Sequence, residues 1–150
     1  MDQLAIRLPR ADDAAALARL SGQLGYPSSD EEIRQRLSTL LSGKDDFLIV
    51  AELDGRVVGW LHAFAAMRLE SGAFAEIGGM VVEEAFRGRG MGRRLVDEAS
   101  AWARGKGFRT LRVRSNVVRE DTHRFYLGLG FETVKSQAVF ARDLAGGAGK

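Results

Sequence analysis

The stretch MVVEEAFRGRGMGRR, residues 80–94, begins with apolar residues and continues with glycines and arginines, and it is the most informative part of the sequence for the fold. Its first three residues are apolar and typical of the end of a β-strand. Glycines then alternate with arginines, and an apolar stripe at helical spacing begins at Met91. The stretch therefore predicts a strand, a glycine-rich turn and an amphipathic helix from about Gly90 to Arg104.

The glycine-rich turn has the composition of a site for phosphate groups. The first backbone N–H groups of a helix lack partners inside it, and the helix dipole adds partial positive charge there. Gly88, Gly90 and Gly92 have no Cβ atom to keep an anion at a distance, and the arginines add formal charge. These features predict a pyrophosphate cradle. The spacing fits neither a P-loop, which needs a Lys-Ser or Lys-Thr pair, nor a dinucleotide-binding G-x-G-x-x-G turn.

Composition excludes several other classes of protein. The 150 residues are 45% hydrophobic and 28% charged, which is usual for a globular domain. There is no cysteine and there are two histidines, His62 and His123, so we expect no disulfide framework, no cysteine nucleophile and no metal site. No apolar run approaches the roughly 20 residues of a membrane span, and the N-terminus lacks the pattern of a signal peptide. We expect one cytoplasmic domain over residues 1–144 and a flexible tail over 145–150.

Charge is unevenly distributed along the chain. Residues 1–86 hold 8 Lys and Arg against 14 Asp and Glu, a net charge of −6, whereas residues 87–124 hold 11 against 4, a net charge of +7. This asymmetry favours an anionic partner for the second stretch and a cationic one for the first.

The remaining patterns predict a mixed α/β fold. Asp54-Gly55 joins two apolar runs and predicts a β-hairpin, because both central residues of a type I′ turn need positive φ. Ser29 and Glu32 have the spacing of a helix capping box. We expect strands at about 4–8, 47–53, 57–64, 73–82, 110–115 and 131–140, and helices at about 14–20, 29–41, 90–104 and 119–127.

Two motifs resemble the Gcn5-related N-acetyltransferase (GNAT) family. Residues 80–92 resemble the family's acyl-CoA-binding motif, L-x-V-x-P-x-x-R-G-x-G-x-G, with Glu84 in place of the proline. Residues 116–131 resemble its second motif, N-x₅-A-x₂-[FL]-Y-x₃-G-[FY], with Thr122 in place of the alanine. Arg119 stands where many relatives have asparagine. The resemblance implies a GNAT-like fold, with a mixed, mostly antiparallel sheet of about six to seven strands flanked by about four helices.

The resemblance also implies acetyl-CoA as cosubstrate and assigns its contacts. Backbone groups of the strand before the turn would orient the pantetheine arm and the thioester, and the turn would hold the pyrophosphate. The implied contacts are Met80, Val81, Val82, Arg87, Gly88, Arg89, Gly90, Met91, Gly92, Arg93, Asn116, Arg119 and Tyr126.

Acetyl transfer to an amine needs a base for the ammonium and an acid for the departing sulfur. An ammonium with a pKa near 10.4 must lose a proton, and Glu76, on the strand before the turn, is the candidate base. Phe74 to Ile77 resemble the segment that carries the catalytic glutamate in histone-acetylating relatives. If the strand is regular, Glu76 shares a face with Met80 and Val82. His62 and Glu83 are weaker candidates for the base.

Tyr126 matches the family tyrosine that protonates the leaving CoA thiolate. Its alternative interpretation is a core aromatic residue beside Phe125 and Phe131.

The function predicted is transfer of an acetyl group from acetyl-CoA to a primary amine, by direct attack in a ternary complex. A small-molecule amine is favoured as acceptor, with a protein lysine or N-terminus as the alternative. A non-catalytic acyl-CoA-binding module is a second class, although it would not need Glu76 and Tyr126. Nucleic-acid binding through Arg109, Arg112, Arg114 and Arg119 is disfavoured, because no aromatic residue lies between them to stack on bases. The sequence leaves the oligomeric state open, and a homodimer is one option.

Overall fold

The computed structural model describes residues 3–115 and 120–145. The chain divides into two compact units, Met1–Arg114 and Ser115–Lys150. The first unit contains β1 (Leu4–Arg7), α1 (Ala14–Leu24), α2 (Asp30–Leu41), β2 (Asp46–Leu53), β3 (Arg56–Arg68), β4 (Gly72–Val82), α3 (Met91–Gly105) and β5 (Leu111–Val113). The second contains α4 (Glu120–Gly128).

The five strands form one mixed sheet in the order β1-β2-β3-β4-β5. The first three pairings are antiparallel, and β4 pairs with β5 in parallel. The α3 helix crosses over between these two parallel strands, as parallel pairing requires. The predicted mixed α/β class and the predicted order of elements are confirmed over the first unit.

Local sequence signals place the turn and the helix start where they were expected. Asp54 and Gly55 have φ angles of 51° and 84°, so both adopt the left-handed conformation that the β2–β3 turn needs. The Ser29 Oγ accepts a hydrogen bond from the Glu32 backbone N–H at 3.1 Å, and the Glu32 carboxylate accepts one from the Ser29 N–H at 2.8 Å. The predicted hairpin and capping box are therefore both present.

Helices cover both faces of the sheet. Leu17 and Leu20 of α1 share a buried cluster with Leu48 and Val50 of β2. On the opposite face, α3 buries its apolar stripe, and its Leu95 is fully buried. Each side chain buried in this way contributes on the order of 1.5–3 kcal/mol. The two helical layers thus fix the positions of β3 and β4 between them.

The predicted strand at 131–140 is not present, and the described residues form five strands where six to seven were expected. Three apolar residues of that segment are largely exposed, with Val134 at 76%, Val139 at 83% and Phe140 at 91%. Alternating apolar residues form a strand only where a neighbouring strand accepts their backbone hydrogen bonds, and no such pairing includes this segment.

Candidate active site

The turn between β4 and α3 adopts the backbone conformation that its glycines permit. Gly88 and Gly90 have φ angles of 81° and 84°, and no atom lies within 4 Å of the position that a Cβ would occupy on either residue. Gly90 is the N-cap of α3. The Arg87 Nε–H donates a hydrogen bond to the Val82 carbonyl at 2.9 Å, and Arg89 lies over the ring of Phe86. The turn is therefore open towards solvent, and the glycines are needed for backbone conformation.

The first turn of α3 carries no acidic residue that would compete with an anion. Met91 is buried, which anchors the helix start, while Gly92 and Arg93 follow it in the same turn and Arg93 is exposed. Unpartnered helix N–H groups, an open surface and exposed arginines together fit a pyrophosphate. This chain could therefore hold the diphosphate of acetyl-CoA at the place that its sequence predicts.

The strand before the turn has a free edge. It pairs with β5 only from Ala75 to Ile77, whereas it pairs with β3 as far as Val82. Among the described residues, no strand pairs with the other edge of Met80, Val81 and Val82. An extended amide-containing ligand needs such unpaired backbone groups, so this edge suits a pantetheine arm.

A β-bulge lies in β4 just before this edge. Ile77 pairs with Ala63 and Gly79 pairs with the next residue, His62, so Gly78 is an extra residue on β4. A bulge bends and twists the strand that contains it. Because the pairing of β4 with β5 ends at Ile77, the bulge lies where the two strands separate.

The bulge changes which β4 side chains share a face. Glu76 lies on the same face as Gly79 and Val81, not with Met80 and Val82 as a regular strand would place it. The expectation from a regular strand was wrong, because one extra residue moves every later side chain to the other face. Glu76 consequently faces the α1–α2 side of the sheet.

Glu76 is buried and already has a cationic partner. It is 6% exposed, and its carboxylate accepts a hydrogen bond from the Arg114 Nε–H at 3.2 Å. Its neighbour on β5, Arg112, lies over the ring of Phe74 at 3.9 Å from the ring centroid. The candidate base is therefore held in place by the first strand residues after the crossover.

Glu83 is the second buried carboxylate next to the turn. Arg19 of α1 and Arg56 of the hairpin both donate to it, the latter at 2.8 Å. Its backbone N–H donates to the Val58 carbonyl at 2.7 Å, and Arg19 also donates to the Val57 carbonyl at 3.2 Å. Burial alone would raise the pKa of Glu83, but hydrogen bonds from both arginines outweigh burial and lower it. Glu83 therefore anchors the beginning of the turn, and its lowered pKa favours Glu76 over it as the candidate base.

The second unit places Tyr126 on α4. Its side chain is 9% exposed, and its ring makes edge-to-face contacts with Phe125 and Phe131 at centroid distances of 5.1 and 5.4 Å. Burial raises the pKa of the phenol to about 12. The hydroxyl therefore keeps its proton at neutral pH and can act as a donor. The other predicted contacts after β5, Asn116 and Arg119, lie outside the described residues.

Three polar contacts around the candidate site were not expected from the sequence. Two are the ion pairs Glu76–Arg114 and Glu83–Arg19. The third is the pair His62–Asp46, in which the N–O distance is 2.8 Å. The partners are 38, 64 and 16 positions apart. A buried charge needs a partner, but only the strand register identifies which arginine or carboxylate provides it.

Other features of the described residues lie outside this site. A groove of about 640 Å³ lies between β1, the β2–β3 turn and Arg94, and none of the predicted site residues lines it. No group of three or more histidine or acidic side chains within residues 3–115 and 120–145 is placed to hold a metal ion. Over the same residues, no helix combines the length and apolar character needed to cross a membrane.

The fold is that of an acyl-CoA-dependent acetyltransferase. The model of the acetyltransferase (GNAT) family matches residues 14–131, and the chain belongs to that family. It is 30% identical over 148 residues to aminoglycoside N(6′)-acetyltransferase type 1 of Stenotrophomonas maltophilia, with 93% of each chain covered.

Solved structures confirm the fold. The aminoglycoside N-acetyltransferase AAC(6′)-Iy in complex with CoA superposes with a TM-score of 0.84 at 20% identity, covering 96% of this chain and 97% of that one. Glucosamine-6-phosphate N-acetyltransferase of Arabidopsis thaliana superposes with a TM-score of 0.80 at 22% identity, covering 94% and 99%. The chain is an acetyl-CoA-dependent N-acetyltransferase.

Proposed function

We propose that the acceptor is a small cationic amine of the amino-sugar type, such as an aminoglycoside. The observation that carries this proposal is the buried Glu76 carboxylate, placed on the same strand as the free edge that suits the pantetheine arm. A buried negative charge attracts an ammonium group more strongly than an exposed one does, and Arg114, which pairs with this carboxylate, is 52% exposed and therefore partly screened by solvent. The Stenotrophomonas relative, which covers 93% of both chains, supports an aminoglycoside as the substrate class.

Each proposed residue has one task in the reaction. Backbone N–H groups from Gly88 to Arg93 would hold the pyrophosphate, and the free edge of Met80 to Val82 would orient the thioester. Acetyl-CoA supplies an acetyl group that is already activated. Glu76 would accept a proton from the ammonium, and Tyr126 would donate one to the departing sulfur.

The arginines of β5 support this function over nucleic-acid binding. Arg112 covers Phe74, and Arg114 binds Glu76. Both side chains are therefore engaged inside the first unit rather than aligned along a surface for phosphates. We assign the reaction to the cytoplasm as part of the proposal, because acetyl-CoA is an intracellular thioester.

The substrate class is tested by CoA release with a panel of amines at equal concentration. The panel contains an aminoglycoside with a 6′-amino group, its analogue with a 6′-hydroxyl group, a linear polyamine and a lysine peptide. We expect the highest kcat/KM with the 6′-amine, by at least about tenfold, and no reaction with the 6′-hydroxyl analogue. A higher kcat/KM for the lysine peptide than for every small amine would contradict the proposal.

A further inference from the structure

His62 and Asp46 form a polar pair on the face of the sheet that Glu76 also faces. The His62 Nε2 lies 2.8 Å from the Asp46 Oδ1. The two side chains are 22% and 26% exposed, so the pair is partly buried and still reaches solvent. A carboxylate accepts hydrogen bonds, so the neutral imidazole that fits this contact carries its proton on Nε2.

The second imidazole nitrogen faces β4. The His62 Nδ1 lies 3.4 Å from the position that a Cβ on Gly78 would occupy. In the tautomer set by Asp46, this nitrogen has a free lone pair. Gly78 is exposed, and a Cβ there would lie 3.0 Å from the Phe64 ring and 3.4 Å from the His62 Nδ1, so the absence of a side chain at Gly78 leaves this edge of the imidazole uncovered.

The location of His62 connects it to the proposed reaction. His62 pairs with Gly79, which directly precedes Met80, the first residue of the free edge. Glu76 lies on the same face, opposite Phe64, and the rings of Phe64 and His62 contact each other at 5.8 Å between centroids. The imidazole therefore lies, along the strand direction, between Glu76, the candidate base, and the free edge that would orient the thioester.

The chemistry of the acceptor requires more than one proton transfer. An ammonium that becomes an amide nitrogen loses two protons: one is needed by the departing sulfur and the other leaves to solvent. Glu76 is buried and bound to Arg114, so it has poor access to solvent. The His62–Asp46 pair is more exposed than Glu76 and can pass a proton on.

We propose that His62, oriented by Asp46, is a catalytic base of this active site and shares deprotonation of the acceptor nitrogen with Glu76. In this step an N–H bond of the acceptor breaks, and its proton forms an N–H bond with the His62 Nδ1. The imidazolium is stabilised by the Asp46 carboxylate and then returns the proton to water. Asp46 is a positioning residue, because it acts only through His62. The inference rests on the proposed transfer to an amine.

The test uses substitutions that separate chemistry from structure. The amide of His62→Gln can still donate a hydrogen bond to Asp46 but has no basic nitrogen. We expect its kcat to fall about 100-fold, the lower end of the range of general base catalysis, while the KM for acetyl-CoA changes less than twofold. Asp46→Asn should lower kcat by a smaller factor. His123→Gln, at the only other histidine of the sequence, is the matched control and should keep full activity.

Chemical rescue is the second readout. His62→Ala leaves a cavity next to Gly78, and added imidazole should restore at least about fivefold of the lost rate. A purely structural histidine would lower the melting temperature without such rescue.

The outcomes separate the two proposals. If none of the amines in the panel supports CoA release by the wild-type protein, the proposed function fails. If the wild-type protein is active and His62→Gln keeps kcat within twofold, or if His62→Ala loses activity that imidazole does not restore, the role of His62 is overturned.

Discussion

At the scale of a single residue, the burial of the Tyr126 phenol opposes its proposed role as a proton donor. Burial raises its pKa to about 12, whereas an alkyl thiol ionises near pH 8.5. Complete proton transfer from this phenol to a thiolate is therefore uphill by roughly 3 to 4 pKa units. Tyr126 therefore stabilises the departing sulfur first by donating a hydrogen bond, and the proton transfer proposed for it requires that binding of acetyl-CoA changes the surroundings of the phenol.

Tyr126→Phe removes this donor and keeps the ring contacts with Phe125 and Phe131. We expect kcat to fall about 10- to 100-fold and the Kd of acetyl-CoA to change less than twofold, because the hydroxyl acts on the departing group. Steady-state kinetics and calorimetric titration measure the two quantities. Tyr26→Phe, at the other tyrosine, which is 71% exposed, is the control. Equal kcat values in both variants would return Tyr126 to a structural role.

Residue-scale patterns differ in how far sequence alone predicts them. Asp54-Gly55 was correctly assigned to a hairpin turn because the required φ angles depend on those two residues alone. The face of Glu76 was not predicted correctly: the Gly78-Gly79 pair is compatible with a bulge, but only the register with β3 shows that one extra residue is present there. The partner of Glu76 was not predictable either, because Arg114 becomes its neighbour only through the register of β4 and β5.

At the scale of elements, β1 and α1 are joined through one buried carboxylate. Asp13 is 7% exposed and accepts two hydrogen bonds from the Arg7 guanidinium, at 2.8 and 3.0 Å, and one from the Arg10 backbone N–H at 2.6 Å. Arg7 also donates to Glu52 of β2 at 2.9 Å. The hydrogen bond from Arg7 lowers the pKa of Asp13 and outweighs the opposing effect of burial.

This lowered pKa predicts how stability depends on pH. Because the folded protein holds Asp13 ionised at a lower pH than the unfolded chain does, its contribution is complete above about pH 4 and is lost as pH falls through the folded pKa. Asp13→Asn should lower the free energy of unfolding at pH 7 by about 1–3 kcal/mol, and the difference from wild type should shrink towards pH 3.

Urea unfolding at pH 7, 5 and 3 measures this dependence. Asp12→Asn is the matched control, because the neighbouring Asp12 side chain is 85% exposed and its carboxylate is 3.9 Å from Arg10. A constant difference between Asp13→Asn and wild type across this range would show that Asp13 does not titrate as stated.

Elements whose formation depends on their own local sequence were predicted correctly. An element that needs a distant strand as its pairing partner was not. The order of helices and strands in the first unit follows from periodicity and turn residues. The segment 131–140 has a strand-like alternation, but Val139 and Phe140 are exposed and no pairing strand is present. Hydrophobic alternation shows that a segment could pair, and it carries no information about whether an edge is available.

At the scale of the whole molecule, we expect the acetyl-CoA site to depend on the start of α3. Two buried carboxylates fix its surroundings, since Glu83 links the turn to α1 and the hairpin, and Glu76 links β4 to β5. The turn itself presents open backbone at Gly88 and Gly90. The motif predicts this cradle from the sequence alone, because phosphate binding by helix N–H groups is a local property of the backbone.

Two glycine variants test whether the start of α3 binds the phosphate groups. Gly90→Glu introduces bulk and negative charge at the cradle and strain at a φ of 84°. Gly107→Glu introduces the same side chain at a φ of 88°, also with open space around the Cβ position, just beyond the opposite end of α3. Both variants should lose comparable stability, so any difference in ligand response reports the cradle.

The most direct test is thermal unfolding of the wild-type protein and these two variants with acetyl-CoA, CoA and NAD⁺. A ligand at 100 times its Kd stabilises the folded state by about 2.7 kcal/mol, which is a shift on the order of 5–10 °C for a chain of this size. We predict that shift with acetyl-CoA and CoA, but not with NAD⁺, in the wild-type protein and Gly107→Glu, and none in Gly90→Glu. No shift with either CoA species in the wild-type protein, or an undiminished shift in Gly90→Glu, would contradict acetyl-CoA binding at this turn.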